Sequence, residues 1–109
     1  MLVPTAFAEP IPMQRLVAPS RLTSDHRLDF RRAALDALET AVRDGALELE
    51  IDLGLTLEID ASGLGVLVLV QKRARERGLR TRLLDASRPV VDMLRLTRLH
   101  TLFELGVAE

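Results

Sequence analysis

Within Ile59-Asp60-Ala61-Ser62-Gly63-Leu64-Gly65 the hydrophobic period of the chain changes over a few residues. Upstream, Leu57 and Ile59 flank Glu58 in the two-residue alternation of a strand. Downstream, Gly63, Val66, Val70 and Ala74 share one side of a helix at about 100° per residue, with Leu67 at its margin. The stretch therefore reads as a turn leading directly from a buried strand into a helix. Ser62 is placed to accept from the free N–H groups of the first helical turn, and Gly63 and Gly65 let another backbone come close. Two roles are open on this chemistry alone. One is an ordinary helix cap; the other is an anion site, where the partial positive charge of the helix start favours a negative group, including a phosphate carried on the turn itself.

The same period reading extends in both directions. Before the turn, Leu47, Leu49, Ile51 and Leu53 alternate with Glu48, Glu50 and Asp52, a strand with one buried and one wet face, and Leu57 and Ile59 either continue it or form a separate short stretch. Earlier still, Phe30, Ala34, Leu38, Ala41 and Val42 mark a first helix that Asp29 caps and Asp44-Gly45 stops. Gln14 to Leu22 suits a short strand, and Pro4, Pro10 and Pro12 limit what precedes it to an edge strand or loop. After the turn, the second helix runs from Ser62 to Arg77 and ends at Gly78. Arg80 to Leu84 is a further strand, Ser87 and Pro89 open a third helix reaching about Thr97, and Thr101 to Leu105 suggests a terminal helical turn.

The order β-β-α-β-α-β-α describes a single α/β domain over residues 1–109, with residues 1–13 an irregular edge segment. Its sheet is mixed and mainly parallel, through right-handed crossovers, with the N-terminal strands antiparallel at one edge. The acidic alternation of Leu47 to Leu53 places the helices mainly on one face. On the second helix, Leu64 and Val68 point away from the sheet, in line with Gln71 and Arg75, and are either covered by a neighbouring helix or exposed as a partner-binding patch; Leu64 is taken as a candidate docking residue and Val68 as partly covered.

Composition removes several function classes. At 109 residues the chain has room for one core, and 48% apolar residues with a net charge of −1 describe a globular domain rather than an acidic tail or polybasic arm. It contains no cysteine and only His26 and His100 as imidazole ligands, so no metal or cofactor is expected. Its aromatics are Phe7, Phe30 and Phe103, too few for base stacking. The run Lys72, Arg73, Arg75, Arg77, Arg80, Arg82 invites nucleic acid, but Glu76 interrupts it, and Arg80 and Arg82 can pair with Glu48, Glu50 and Asp52 on a neighbouring strand. Asp60 has no partner acid, base or nucleophile, so no catalytic residue is assigned. No segment approaches the roughly 20 apolar residues of a bilayer span, and Met1 to Ala8 lacks the basic start of a secretory signal. A cytoplasmic protein without direct membrane insertion is expected.

Asp60-Ala61-Ser62-Gly63-Leu64-Gly65 resembles the Asp-Ser-Ser/Thr-Gly-Leu-Gly turn of STAS domains, the family of bacterial anti-sigma factor antagonists. The resemblance continues through Lys72-Arg73-Ala74-Arg75-Glu76-Arg77-Gly78, Ser87-Arg88-Pro89 and Leu94-Arg95-Leu96-Thr97-Arg98-Leu99, then Leu102-Phe103. It covers Leu47 to Leu105, while the N-terminal part matches only in element order. It implies a STAS-type fold and a non-enzymatic regulator acting by partner switching in transcription. Such a regulator docks a GHKL-type anti-sigma factor kinase through Asp60, Ala61, Ser62, Gly63, Leu64 and Gly65. In the family the kinase phosphorylates the hydroxyl residue after the motif aspartate. That position is Ala61 here, so Ser62 is the remaining acceptor for a phosphate. Thr23 and Arg98 replace a family acidic residue and a family glycine, respectively. STAS domains also serve as subunits of lipid-transport ABC systems, which makes a transporter ATPase the alternative partner. A third class, an enzyme or small-ligand binder, rests only on the helix-start anion site.

Overall fold

The computed structural model describes residues 12–107. Its elements are β1 (Met13–Val17), β2 (Arg21–Leu22), α1 (Arg27–Arg43), β3 (Glu48–Asp52), β4 (Glu58–Ile59), α2 (Ala61–Glu76), β5 (Arg80–Leu84), α3 (Arg88–Leu96), a 3-10 turn (Leu99–Leu102) and β6 (Glu104–Gly106). Four strands form one sheet in the order β1-β3-β5-β6, and β2 and β4 form a second, two-stranded sheet. The fold is mixed α/β with helix-covered parallel strands, as the sequence pattern implies.

All strand pairs among the described residues are parallel, which corrects the expectation of antiparallel N-terminal strands for the part that is described. The cause lies in Gln14 to Leu22, which is two strands rather than one. Around Pro19 the chain leaves the larger sheet, so that β1 runs beside β3 and β2 beside β4. Thr56 fixes this departure, its hydroxyl donating to the Pro19 carbonyl at 2.7 Å while its own carbonyl accepts from Ser87 Oγ at 3.0 Å. The edge strand expected among Pro4 to Pro12 falls almost wholly outside the described residues. The expected terminal helical turn is also corrected: a 3-10 turn at Leu99–Leu102 precedes β6, which pairs with β5. Phe103, buried at this junction, anchors the switch.

The alternation puts Leu49, Ile51 and Leu53 in the core as expected, whereas Leu47 lies before β3 and is exposed, and Glu48 and Glu50 on the expected wet face are buried. Leu49 and Ile51 join Leu83 of β5 in one core with Phe30, Ala34 and Leu38 of α1, Val66, Leu67 and Val70 of α2, and Val90 and Leu94 of α3. All three helices thus feed the same core, on the apolar side of the sheet. The other side carries ionic rows. Arg15 donates to Glu50 Oε1 from both Nε (3.2 Å) and Nη2 (2.9 Å), and Arg82 Nη1 lies 3.5 Å from Glu50 Oε2. Arg80 reaches Glu48 at 3.8 Å and Glu104 at 3.7 Å. The expected pairing of Arg80 and Arg82 with β3 therefore forms, as the register Glu48↔Arg80 and Glu50↔Arg82 requires. The arginines cover Glu48 and Glu50 well enough that both are buried.

Helix ends follow backbone geometry more than side-chain caps. Helix α1 begins two residues before Asp29, because a turn closed by His26 N–H to the Thr23 carbonyl (2.9 Å) already brings the chain into helical direction. Asp29 sits in the first turn, where its charge suits the helix dipole. The helix stops at Asp44 with Gly45 at φ 72°, as expected. After α3, Arg98 adopts φ 59°, the left-handed position that glycine fills more cheaply.

Candidate functional site

Asp60, not Ser62, caps α2. Its extended backbone directs the carboxylate back over the helix start, where Oδ1 accepts from Gly63 N–H at 3.0 Å. Ser62 lies inside the first turn, one residue too far along to reach that amide. Asp60 Oδ2 also accepts from Ser24 N–H at 3.1 Å, so one carboxylate ties the loop before α1 to the start of α2. The Gly63 amide, working against partial burial, and the amides of Ser24 and Ser62 hold the Asp60 carboxyl below its ordinary range.

The six motif residues divide by direction. Gly63 faces inward against Leu22, whose carbonyl oxygen occupies the space a Cβ would need. Leu64 is also buried, which corrects its placement as an outward docking residue. The helical wheel leaves Leu64 either covered by a neighbouring element or exposed for docking, and the fold takes the covered option. In the fold α2 also packs beside the 3-10 turn, and further along the same row Gln71 and Arg75 share a groove with Thr101 to Glu104. Val68 is half-buried, as expected. Ala61 and Gly65 remain exposed and Ser62 is half-buried, its hydroxyl making no hydrogen bond among the described residues. A Cβ on Gly65 would meet nothing within 4 Å.

Ala61, Ser62 and Gly65 form one wall of an open groove of about 450 Å³ between the starts of α1 and α2, and Arg27, Leu28 and Arg31 form the other. Val66 and Leu69 complete it. The α1 wall was missed in the sequence, yet two features point to it. Leu28 lies off the apolar stripe of Phe30, Ala34 and Leu38 and is 63% exposed, and Arg27 and Arg31 stand four residues apart with like charge, a spacing that costs helix stability. Among the described residues no group of three or more histidine, cysteine or carboxylate side chains could hold a metal ion, and no described helix is long and apolar enough to cross a membrane.

The family described as Mlab, STAS domain matches residues 14–105. The chain belongs to the STAS-domain family. No curated protein matches the sequence at a significant level. Among solved structures, this STAS domain is similar to TM1081 of Thermotoga maritima, described there as a candidate anti-sigma factor antagonist, with 21% identity, TM-score 0.71, and coverage of 84% of this chain and 78% of that one. It is similar to the anti-sigma factor antagonist SpoIIAA in its unphosphorylated form at 13% identity and TM-score 0.60, covering 94% of this chain and 86% of that one. The phosphorylated form of Bacillus SpoIIAA matches at 16% identity and TM-score 0.63, covering 94% and 88%. At these identities the likeness is one of fold: this domain has the STAS fold of anti-sigma factor antagonists.

Proposed function

We propose that this STAS domain is a non-enzymatic docking protein of the anti-sigma factor antagonist type, working in the cytoplasm, that binds a GHKL-type kinase through the Asp60–Gly65 turn and acts in partner switching without the usual phosphate switch. The observation that carries the reading is the capped turn itself. Asp60 fixes the first turn of α2 and leaves the Ala61 methyl exposed where the family motif places a hydroxyl. A methyl group accepts no phosphate, so docking here is constitutive and governed by the amount of protein. Ser62, half-buried against the groove, is the remaining hydroxyl and a poor acceptor.

A second reading makes the partner the ATPase of a lipid-transport ABC system. A permanent subunit needs no phosphate switch, which Ala61 also suits. Affinity capture from native lysate with identification of the bound protein separates the two: a GHKL-type kinase supports the first, a transporter ATPase the second. With a captured kinase and ATP, intact mass should show the parent unmodified and Ala61→Ser carrying one phosphate. Rapid stoichiometric modification of the parent at Ser62 would overturn the constitutive reading.

A further inference from the structure

The groove between α1 and α2 differs in character along its length. Where Leu38, Glu39 and Arg77 line it, an ion pair between Arg77 Nη1 and Glu39 Oε2 at 2.9 Å bridges the two helices. At the other end, beside Ala61, the cations Arg27 and Arg31 make no ion pair among the described residues, and between them Leu28 stands 63% exposed. Arg31 and Leu28 also line an adjoining groove along α1 with Arg32, Leu35 and Asp36. Arg32 makes no ion pair among the described residues either, and Asp36 is the single carboxylate in that lining. One surface thus combines unpaired guanidinium groups, an exposed leucine and, at Gly65, a helix side without a side chain.

Two kinds of anionic occupant can be distinguished. A free phosphate or nucleotide would seek the N–H groups at the start of α2, but the Asp60 carboxylate already accepts from them and places a negative charge there. A small anion also has no use for Leu28 and Leu69. An acidic amphipathic helix uses all of these features: carboxylates for Arg27 and Arg31, an apolar side chain over Leu28 and Leu69, and backbone approach at Gly65.

We infer that the α1–α2 groove is the seat of an acidic amphipathic helix of the partner protein, held by Arg27 and Arg31 around Leu28. The inference rests on the docking reading above and adds the chemistry of the partner's contact segment. Arg27 and Arg31 together set the sign of the charge that is accepted, and Leu28 supplies the desolvated contact.

The test uses the full chain, isotopically labelled, with two synthetic helical peptides of identical leucine spacing, one bearing glutamates and one lysines on the flanking positions. The glutamate peptide should shift amide resonances of Arg27 to Leu35 and Ala61 to Leu69, and bind at least tenfold more tightly than the lysine peptide, with affinity falling as salt rises. The double variant Arg27→Glu/Arg31→Glu, its fold verified by its spectrum, should invert the preference. Equal binding of both peptides, shifts confined to other surfaces, no binding at millimolar peptide, or an unchanged preference in the double variant would each overturn the inference. Binding of phosphatidylglycerol vesicles or inorganic phosphate through these arginines without the glutamate peptide would overturn it as well. With a captured partner the two levels separate. Loss of binding in Ala61→Arg but not in the double variant overturns the acidic helix and leaves the docking reading standing, whereas retention in both overturns both.

Discussion

The carbonyl oxygen of Leu22 lies against Gly63 where a side chain would begin, so β2 and the first turn of α2 meet backbone to backbone. Gly63→Ala must separate them, and the obstacle is main chain that cannot swing aside. Unfolding free energy should fall by about 1–3 kcal/mol or more, as in overpacked cores. Gly65→Ala, two residues on in open space, should instead gain about 0.5–1 kcal/mol from helix propensity. Urea denaturation of the two variants tests this contrast, and equal effects would contradict the assigned faces of the helix.

Leu64 is 4% exposed and belongs to the core. Truncation to alanine should cost about 2–5 kcal/mol. Leu64→Asp should lose the cooperative thermal transition altogether. A Leu64→Asp protein of parental stability would place this side chain at the surface after all.

Asp60 contributes through its charged form. Its folded carboxyl lies below the ordinary range, so its contribution is full above the ordinary carboxylate range and disappears as pH falls through the lowered value. Asp60→Asn should therefore flatten the acid limb of the stability curve. The amides of both Gly63 and Ser24 should become less protected in hydrogen exchange, and protection lost at Gly63 alone would show that the Ser24 bond does not hold the α1 loop.

On the outer sheet face Glu48 and Glu50 behave in opposite ways. Burial, with the hydrogen bond and charge of Glu50, raises the Glu48 carboxyl, against the pull of Arg80 and Arg82. Burial also pushes Glu50 upward, but Arg15, Glu48 and Arg82 outweigh it and leave Glu50 below its ordinary value. Glu50 thus adds stability above the ordinary carboxylate range and loses it on acidification, whereas the ionised Glu48 is a cost that appears as pH rises through its raised value. At pH 7 Glu50→Gln should destabilise by about 1–3 kcal/mol, and Glu48→Gln should be neutral or stabilising. Chemical denaturation at pH 5 and pH 7 distinguishes the pair.

Arg98→Gly should stabilise by about 1 kcal/mol, since it relieves a left-handed residue without removing an ion pair formed among the described residues. A loss of stability would mean that the Arg98 side chain does more than its backbone suggests.

Much of this was legible because period and burial agree. The alternation in β3 places Leu49 and Ile51 on one side and Glu48 and Glu50 on the other, and the spacing of Phe30, Ala34 and Leu38 defines the buried side of α1. What escaped depends on neighbours distant in sequence. Leu64 looks outward until the elements packed around α2 are known. Glu104 to Gly106 is too short and polar to announce a strand, and gains that state from pairing with β5. Ser62 is as good a capping residue as Asp60, and only the backbone direction after Ile59 decides between them. The groove escaped for a similar reason, because Arg27 and Arg31 acquire meaning when the Asp60 bond to Ser24 brings their helix alongside Ala61.

The parallel register has a consequence for how the chain folds. Met13 pairs with Glu48, Glu48 with Arg80, and Arg82 with Glu104, so each neighbouring pair in the larger sheet encloses an intervening helix. Among the described residues no hairpin is available as a starting point, and loop-closure entropy must be met before any of these pairings forms. The earliest organised unit is therefore a strand, helix and strand together, with β3, α2 and β5 best suited because they supply both central strands. The Arg80–Glu48 and Arg82–Glu50 pairs lie within that unit, whereas Arg15–Glu50 and Arg80–Glu104 form only when β1 and β6 dock on it, which makes these two late events on the folding path.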